Sequence, residues 1–129
     1  MFPKWFAPHV AYSMAKYGML MCVLGMSKEF KDDSIAVNAL WPRTAIATSA
    51  VEYVLGGDYM MKRSRKASIM SDSAYIILTS VSKSTTGNFF IDDEVLASVG
   101  ITNLCKYKFD PSIAEKDLAP DFFFVFKEF

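Results

Sequence analysis

Two short apolar runs with a helix-forming stretch between them constrain this chain more than any other feature. The first, Ser34-Ile35-Ala36-Val37-Asn38-Ala39-Leu40, carries β-branched residues and is ended by Trp41-Pro42, because proline cannot donate to a strand ladder. The second is Asn88-Phe89-Phe90-Ile91. Between them, Thr44 to about Leu55 reads as a loop entering a short helix that Gly56-Gly57 stops. A second helix starts from Ser71 or Asp72 as its N-cap and runs through Ala74-Tyr75-Ile76-Ile77-Leu78, and Thr86-Gly87 ends the region. Strand, helix, strand with a long crossover predicts two parallel strands, which are normally buried on both faces of a larger α/β sheet. Two strands are too few for such a sheet, so the pattern calls for neighbours beyond those the chain encodes.

The remaining segments fit that frame. From about His9 to Phe30 the residues are good helix formers, apolar on nearly every face, which predicts a helix covered on several sides. Its apolar stretch, Val10 to Met26, contains Lys16 and two glycines and falls short of the roughly 20 residues a bilayer span needs, so a buried helix is expected and no membrane span. Pro3 and Pro8 break the N-terminus, which lacks the apolar core of a signal peptide. A helical turn around Glu94 to Ser98 is closed by Gly100. The tail from Thr102 is irregular, and its run Asp121-Phe122-Phe123-Phe124-Val125-Phe126 is expected to pack on the chain itself or on a neighbouring subunit, with lipid or sterol contact as the alternative.

Composition narrows the function. The 129 residues suffice for one ordinary domain, and 14 basic against 14 acidic side chains leave no net field to draw nucleic acid or an anionic membrane. A small neutral or apolar partner fits better. Lys62-Arg63-Ser64-Arg65-Lys66 then reads as a solvated loop, not a nucleic-acid patch. Cys22 and Cys105 form no CxxC or Cys/His cluster and read as reduced packing residues. His9, the only histidine, has no neighbouring ligand type, so no metal site is expected and a packing role is favoured. Asp92-Asp93-Glu94 reads as the cap of a helix N-terminus, where the dipole favours negative charge.

Tyr12 and Lys16 are the residues that can carry chemistry. Four apart on a helix, they share one face and can address one small site. A phenol titrates near about 10, and a neighbouring ammonium lowers that value by roughly 1 to 3, which would make Tyr12 an acid/base and Lys16 its electrostatic partner. The alternative is that Tyr12 packs its ring while Lys16 snorkels to water.

The words Ala11-Tyr12-Ser13-Met14-Ala15-Lys16-Tyr17-Gly18-Met19, Ile35-Ala36-Val37-Asn38-Ala39-Leu40-Trp41-Pro42 and Gly87-Asn88-Phe89-Phe90-Ile91-Asp92 form an ordered series. In that order and spacing the chain resembles the short-chain dehydrogenase/reductase family, most closely its hydroxysteroid dehydrogenase-like branch and bacterial relatives. That branch shares Trp5-Phe6, Val23-Leu24-Gly25-Met26, Thr44-Ala45-Ile46 and the late Pro120-Asp121-Phe122-Phe123. The resemblance covers nearly the whole chain. It implies an α/β fold, the C-terminal part of a Rossmann-like doubly wound parallel sheet. Residues 1–129 would form a partial domain comprising the catalytic helix, the last two strands and the tail, with the N-terminal nucleotide-binding half absent.

The resemblance also implies a reaction: reversible hydride transfer between NAD or NADP and a small apolar carbonyl, alcohol or lipid-like substrate. Tyr12 and Lys16 would be catalytic, Lys16 would also hydrogen-bond the nicotinamide ribose, and the loop after Pro42, with Thr44 and Thr48, would lie against the nicotinamide carboxamide. Arg43 stands where the family usually has glycine, although this branch often carries a basic residue there. Ala47 to about Met61 corresponds to the variable substrate lid, an ordinary amphipathic surface helix being the alternative. The family's glycine-rich turn, its catalytic serine and its helix-borne asparagine have no counterpart here, so no cofactor is expected to bind this chain alone. The rival expectation is a non-catalytic truncated paralogue or isoform that pairs with itself or a homologue through the helix 9–30. An incomplete gene model is the third. Relatives suggest an intracellular address in peroxisome or mitochondrion, but Lys127-Glu128-Phe129 is not a Ser-Lys-Leu signal.

Overall fold

In a computed structural model, which describes Pro3 and residues 6–122, the elements run in one order from N- to C-terminus. They are α1 (Val10–Glu29), β1 (Ala39–Trp41), a π-helical turn (Val51–Leu55), α2 (Gly57–Lys62), α3 (Ser68–Leu78), β2 (Phe89–Ile91) and α4 (Asp92–Ser98), with 3-10 turns at Cys105–Tyr107 and Glu115–Asp117. β1 and β2 pair in one parallel two-stranded sheet, so the crossover expected from the sequence is present. The aromatic run from Phe123 onward lies outside the described residues. The chain divides into two compact units, residues 1–39 with 81–89 and residues 40–80 with 90–129.

In the first unit, α1 begins and ends within one residue of its expected limits, and Lys28 in its last turn complements the helix dipole. Only a narrow stripe is covered, with Ser13, Val23 and Ser27 buried, while Met14 and Met21 are each 70% exposed. The expectation of a helix covered on several sides is therefore corrected. Cys22 is a free, exposed cysteine and His9 is exposed, so neither is buried in the packing role expected of it.

The strand expected from Ser34 starts later, at Ala39. Ser34 adopts a left-handed backbone (φ 61°), with its N–H donating to the Lys31 carbonyl at 3.1 Å, and so turns the chain out of α1. Residues 36–38 are then held largely through side chains. The Val37 N–H donates to Thr86 Oγ1 at 3.0 Å, Asn38 Nδ2 to the Thr85 carbonyl at 2.8 Å, and Asn38 Oδ1 accepts both the N–H and the Nδ2 of Asn88 at 3.0 Å. Backbone pairing accompanies these bonds, Gly87 N–H to Val37 O at 2.8 Å and Ala39 N–H to Asn88 O at 2.9 Å. Gly87 has φ 74°, and a Cβ there would sit 3.1 Å from Ser27 Oγ. Conformation and space both select glycine.

In the second unit, Ile69, Leu96 and Tyr107 form the core, with Ile46, Met70, Ile76, Ile101 and Leu104 packed around them. α3 starts at Ser68, not at Ser71 or Asp72, and its first turn has no side-chain cap. The start is set from outside the helix: Lys66 N–H donates to the Tyr107 carbonyl at 2.6 Å, while Asp72 accepts the Tyr107 hydroxyl at 2.6 Å. α2 was not foreseen. Gly56 (φ 149°) stops the π-helical turn as expected, but Gly57 (φ 60°) opens a further helix.

Irregular segments complete this unit by pairing backbones. Arg65 N–H donates to Ala45 O at 2.9 Å, Ala47 N–H to Arg65 O at 2.8 Å, Ala45 N–H to Ala119 O at 2.9 Å, and Phe109 N–H to Ser64 O at 3.0 Å. Ser64 and Arg65 are consequently 0% and 3% exposed, so the solvated loop expected at Lys62 to Lys66 is corrected. Burial of Arg65 is compensated by an ion pair with Glu115 and by Nη1 donating to the Leu104 carbonyl at 3.3 Å. Cys105 is free and exposed rather than packed. No described helix is long and apolar enough to cross a membrane.

Candidate functional site

The first set of candidate residues lies on α1. Tyr12 and Lys16 are one turn apart, and Lys16 Nζ stands 5.5 Å from the centroid of the Tyr12 ring. Tyr12 is 51% exposed and Lys16 half-buried. The ring is therefore accessible and has a cation near it. Ser13 between them is buried, and its hydroxyl has no hydrogen-bond partner among the described residues.

The second set lies in the other unit, on the loop that follows β1. Pro42 is half-buried. Thr44 is buried, its backbone bridges to Pro120, and its Oγ1 is without a partner among the described residues. Thr48 is exposed; its Oγ1 accepts the Val51 N–H at 3.4 Å and its carbonyl the Glu52 N–H at 3.0 Å, so it anchors the start of the π-helical turn. The structure thus brings Tyr12 to Lys16, and strings Pro42, Thr44 and Thr48 along one loop. Beyond Thr48, Tyr53 and Val54 are exposed and only Val51 of the turn is buried, so this segment does not lay an apolar face on its own unit.

Arg43 belongs to the same loop. Its N–H donates to Asp92 Oδ1 at 3.0 Å, its Nε pairs with Asp93 and its Nη2 with Glu94 Oε1 at 2.8 Å. The Asp93 carboxylate holds the guanidinium above its ordinary range. Asp92 is the more unusual partner. It is fully buried, it also accepts the Asp93 N–H at 2.8 Å, and burial pushes its carboxyl up despite both N–H bonds. Asp92 to Glu94 were expected only to cap a helix. They do open α4, without a side-chain cap bond, and they also bind the loop after Pro42. No local signal ties residues some fifty positions apart in sequence, which is why sequence reasoning missed the link. Among the described residues there is no His, Cys, Asp or Glu group able to hold a metal ion.

No protein-family model matches the sequence. Over 121 residues, 94% of the chain, it is 54% identical to hydroxysteroid dehydrogenase-like protein 2 of Xenopus laevis and 50% identical to the human protein of that name. It superposes on a putative dehydrogenase from Xanthomonas campestris with a TM-score of 0.82 at 44% identity, and on a short chain dehydrogenase from Mycobacterium thermoresistibile with a TM-score of 0.78 at 44% identity. The chain has the partial fold of a short-chain dehydrogenase. It spans 28% of the length of those two curated relatives, and 43% and 42% of the two solved chains, of which it brings 94% and 95% of itself into register. The expected resemblance to the hydroxysteroid dehydrogenase-like branch of the short-chain dehydrogenases therefore stands.

Proposed function

We propose that this chain carries the proton-transfer pair of a short-chain dehydrogenase acting on a carbonyl or alcohol. The observation that carries it is the Lys16 ammonium 5.5 Å from the centre of an accessible Tyr12 ring, within a fold shared with such enzymes. On this reading Tyr12 passes its proton to a developing alkoxide or takes it from an alcohol, and the Lys16 ammonium offsets the negative charge of the phenolate form. A nicotinamide dinucleotide, where one is bound, supplies or accepts the hydride.

The cofactor residues that the resemblance implies concern only the nicotinamide end of such a cofactor. Lys16, Pro42, Thr44 and Thr48 are the candidates for its nicotinamide ribose and carboxamide. Its diphosphate needs a helix N-terminus with free N–H groups and no opposing charge. The helix that directly follows a described strand is α4, which opens with Asp92, Asp93 and Glu94 and has the wrong sign. The 129-residue chain alone is accordingly expected to give no saturable signal when titrated with NADH or NADPH; micromolar affinity would overturn that expectation. For the chemistry, the chain can be grafted in place of the matching part of the Xanthomonas dehydrogenase. The graft should turn over a small apolar ketone with NADH or NADPH, and Tyr12→Phe should slow it by about 10²- to 10⁴-fold. A graft that turns over unchanged with Phe at that position removes Tyr12 from the chemistry.

A second reading, a non-catalytic interaction module, is favoured by the exposed apolar side chains of α1, among them Met14, Met19, Met21 and Leu24. On that reading the chain co-purifies with a full-length short-chain dehydrogenase, and the same titration stays silent.

A further inference from the structure

We infer that Arg43 is a positioning residue for the loop after Pro42, and that the acidic opening of α4 is its electrostatic anchor. The inference rests on the proposed function for what that loop would face, whereas its test requires no cofactor. Arg43 is bound through both backbone groups and through two of its guanidinium nitrogens. Its N–H donates to Asp92 Oδ1, its carbonyl accepts the Asp121 N–H at 2.9 Å, and its guanidinium spans Asp93 and Glu94. The next residues continue from there, with Thr44 bridging to Pro120 and the Ala45 N–H donating to Ala119. Arg43 is thus where the loop becomes fixed.

A glycine at this position would keep the two backbone bonds and lose the fork. It would also leave a worse neighbourhood behind. Asp92 Oδ2 and Asp93 Oδ1 are buried atoms without hydrogen-bond partners among the described residues, and the guanidinium supplies the counter-charge to the Asp93 carboxylate. An anion buried without compensation is costlier than an exposed one. The side chains of Arg43 and Asp93 are 31% and 19% exposed, so this pair is shielded where an ordinary surface ion pair is not. The charged groups facing the latch are Asp92, Asp93 and Glu94 from α4, with Arg65 acting on Asp92 from the paired segments behind it.

The test is amide exchange in the 129-residue chain, followed at Ala45 and Ala47, whose N–H groups are donated to Ala119 and Arg65. Arg43→Gly should speed exchange at both by about tenfold or more while Ile69 and Leu96 keep their rates. Arg43→Lys should restore part of the protection and Arg43→Met none. Adding Asp93→Asn and Glu94→Gln to Arg43→Gly should recover part of the loss, because the uncompensated charges are then gone. Several results overturn the inference: Ala45 unprotected in the unsubstituted chain, Arg43→Met as protected as arginine, or core amides accelerating in parallel with the loop. If the latch behaves as stated while the graft with the Xanthomonas dehydrogenase is inactive, the proposed function fails and the latch stands.

Discussion

Asp92 is a carboxylate with one oxygen satisfied and the other not: Oδ1 accepts two N–H groups and Oδ2 is buried with no hydrogen-bond partner among the described residues. Burial dominates and raises its pKa in the folded chain above the unfolded value of about 3.9. A raised acid contributes its stability below the unfolded pKa and loses it as pH rises through the folded one, so at neutral pH the ionised Asp92 opposes folding. Asp92→Asn keeps an acceptor for both N–H groups and removes the charge. It should match or exceed the parent in urea unfolding at pH 7 and lose the advantage at pH 4. Asp92→Ala strips both acceptor bonds and should cost about 1–3 kcal/mol at either pH. If Asn is as damaging as Ala at pH 7, the raised carboxyl is wrong. Asp72 has the opposite sign: the Tyr107 hydroxyl holds it below its usual range, so its contribution is present above the unfolded pKa and fades on acidification. Neither carboxylate was legible in the sequence, and Arg65 shows why. In Lys62-Arg63-Ser64-Arg65-Lys66 the residues look equally polar, yet only Ser64 and Arg65 are buried, because the partner of Arg65, Glu115, stands fifty positions away.

Elements were more legible than their limits. Apolar periodicity fixes that α1, α3 and the two strands exist, since each must bury something. It does not say where the backbone is captured by other segments. β1 starts late because the Val37 N–H donates to the Thr86 hydroxyl and the Asn38 side chain bonds Thr85 and Asn88, and α3 starts early because the Tyr107 carbonyl receives the Lys66 N–H. α2 was missed because a glycine pair reads as a stop, although its second member can equally begin a helix. The turn at Gly87 gives a direct check. Its φ of 74° and the 3.1 Å approach of Ser27 Oγ are separate obstacles to a side chain. Gly87→Ala should therefore destabilise the chain by about 1–3 kcal/mol in urea unfolding, and Ser27→Ala in the same chain should return only the steric part. Full recovery would mean that backbone conformation contributes nothing. In the other unit, Ile69→Ala opens a cavity between α3 and α4 at a fully buried position and should cost about 2–5 kcal/mol.

At the scale of the whole molecule, the two units are built differently. Residues 40–80 with 90–129 have a buried apolar centre at Ile69, Leu96 and Tyr107, whereas residues 1–39 with 81–89 rely on side-chain hydrogen bonds around Asn38 and leave most of α1 in solvent. Sequence reasoning saw the parallel pair and its need for neighbours, because a short strand count is countable. It read Tyr12 with Lys16 correctly as one helix face, because a four-residue spacing is local, while Pro42, Thr44 and Thr48 depended on family resemblance. The exposed apolar side chains of α1 then distinguish the two proposed readings by an experiment on the chain itself. Met14 and Met21 are both 70% exposed and Cys22 is exposed on the same helix, so mild peroxide and a thiol alkylating reagent report on its surface. In the isolated chain all three should react readily. If α1 docks on a homologous dehydrogenase, adding that protein should slow modification of Met14 and Met21 by about tenfold or more, as burial removes access to the thioether, with Met70 in the other unit as the internal reference. Unchanged rates at Met14 and Met21 in a complex that demonstrably forms would remove α1 as the contact, and the interaction reading would lose the observation that favours it.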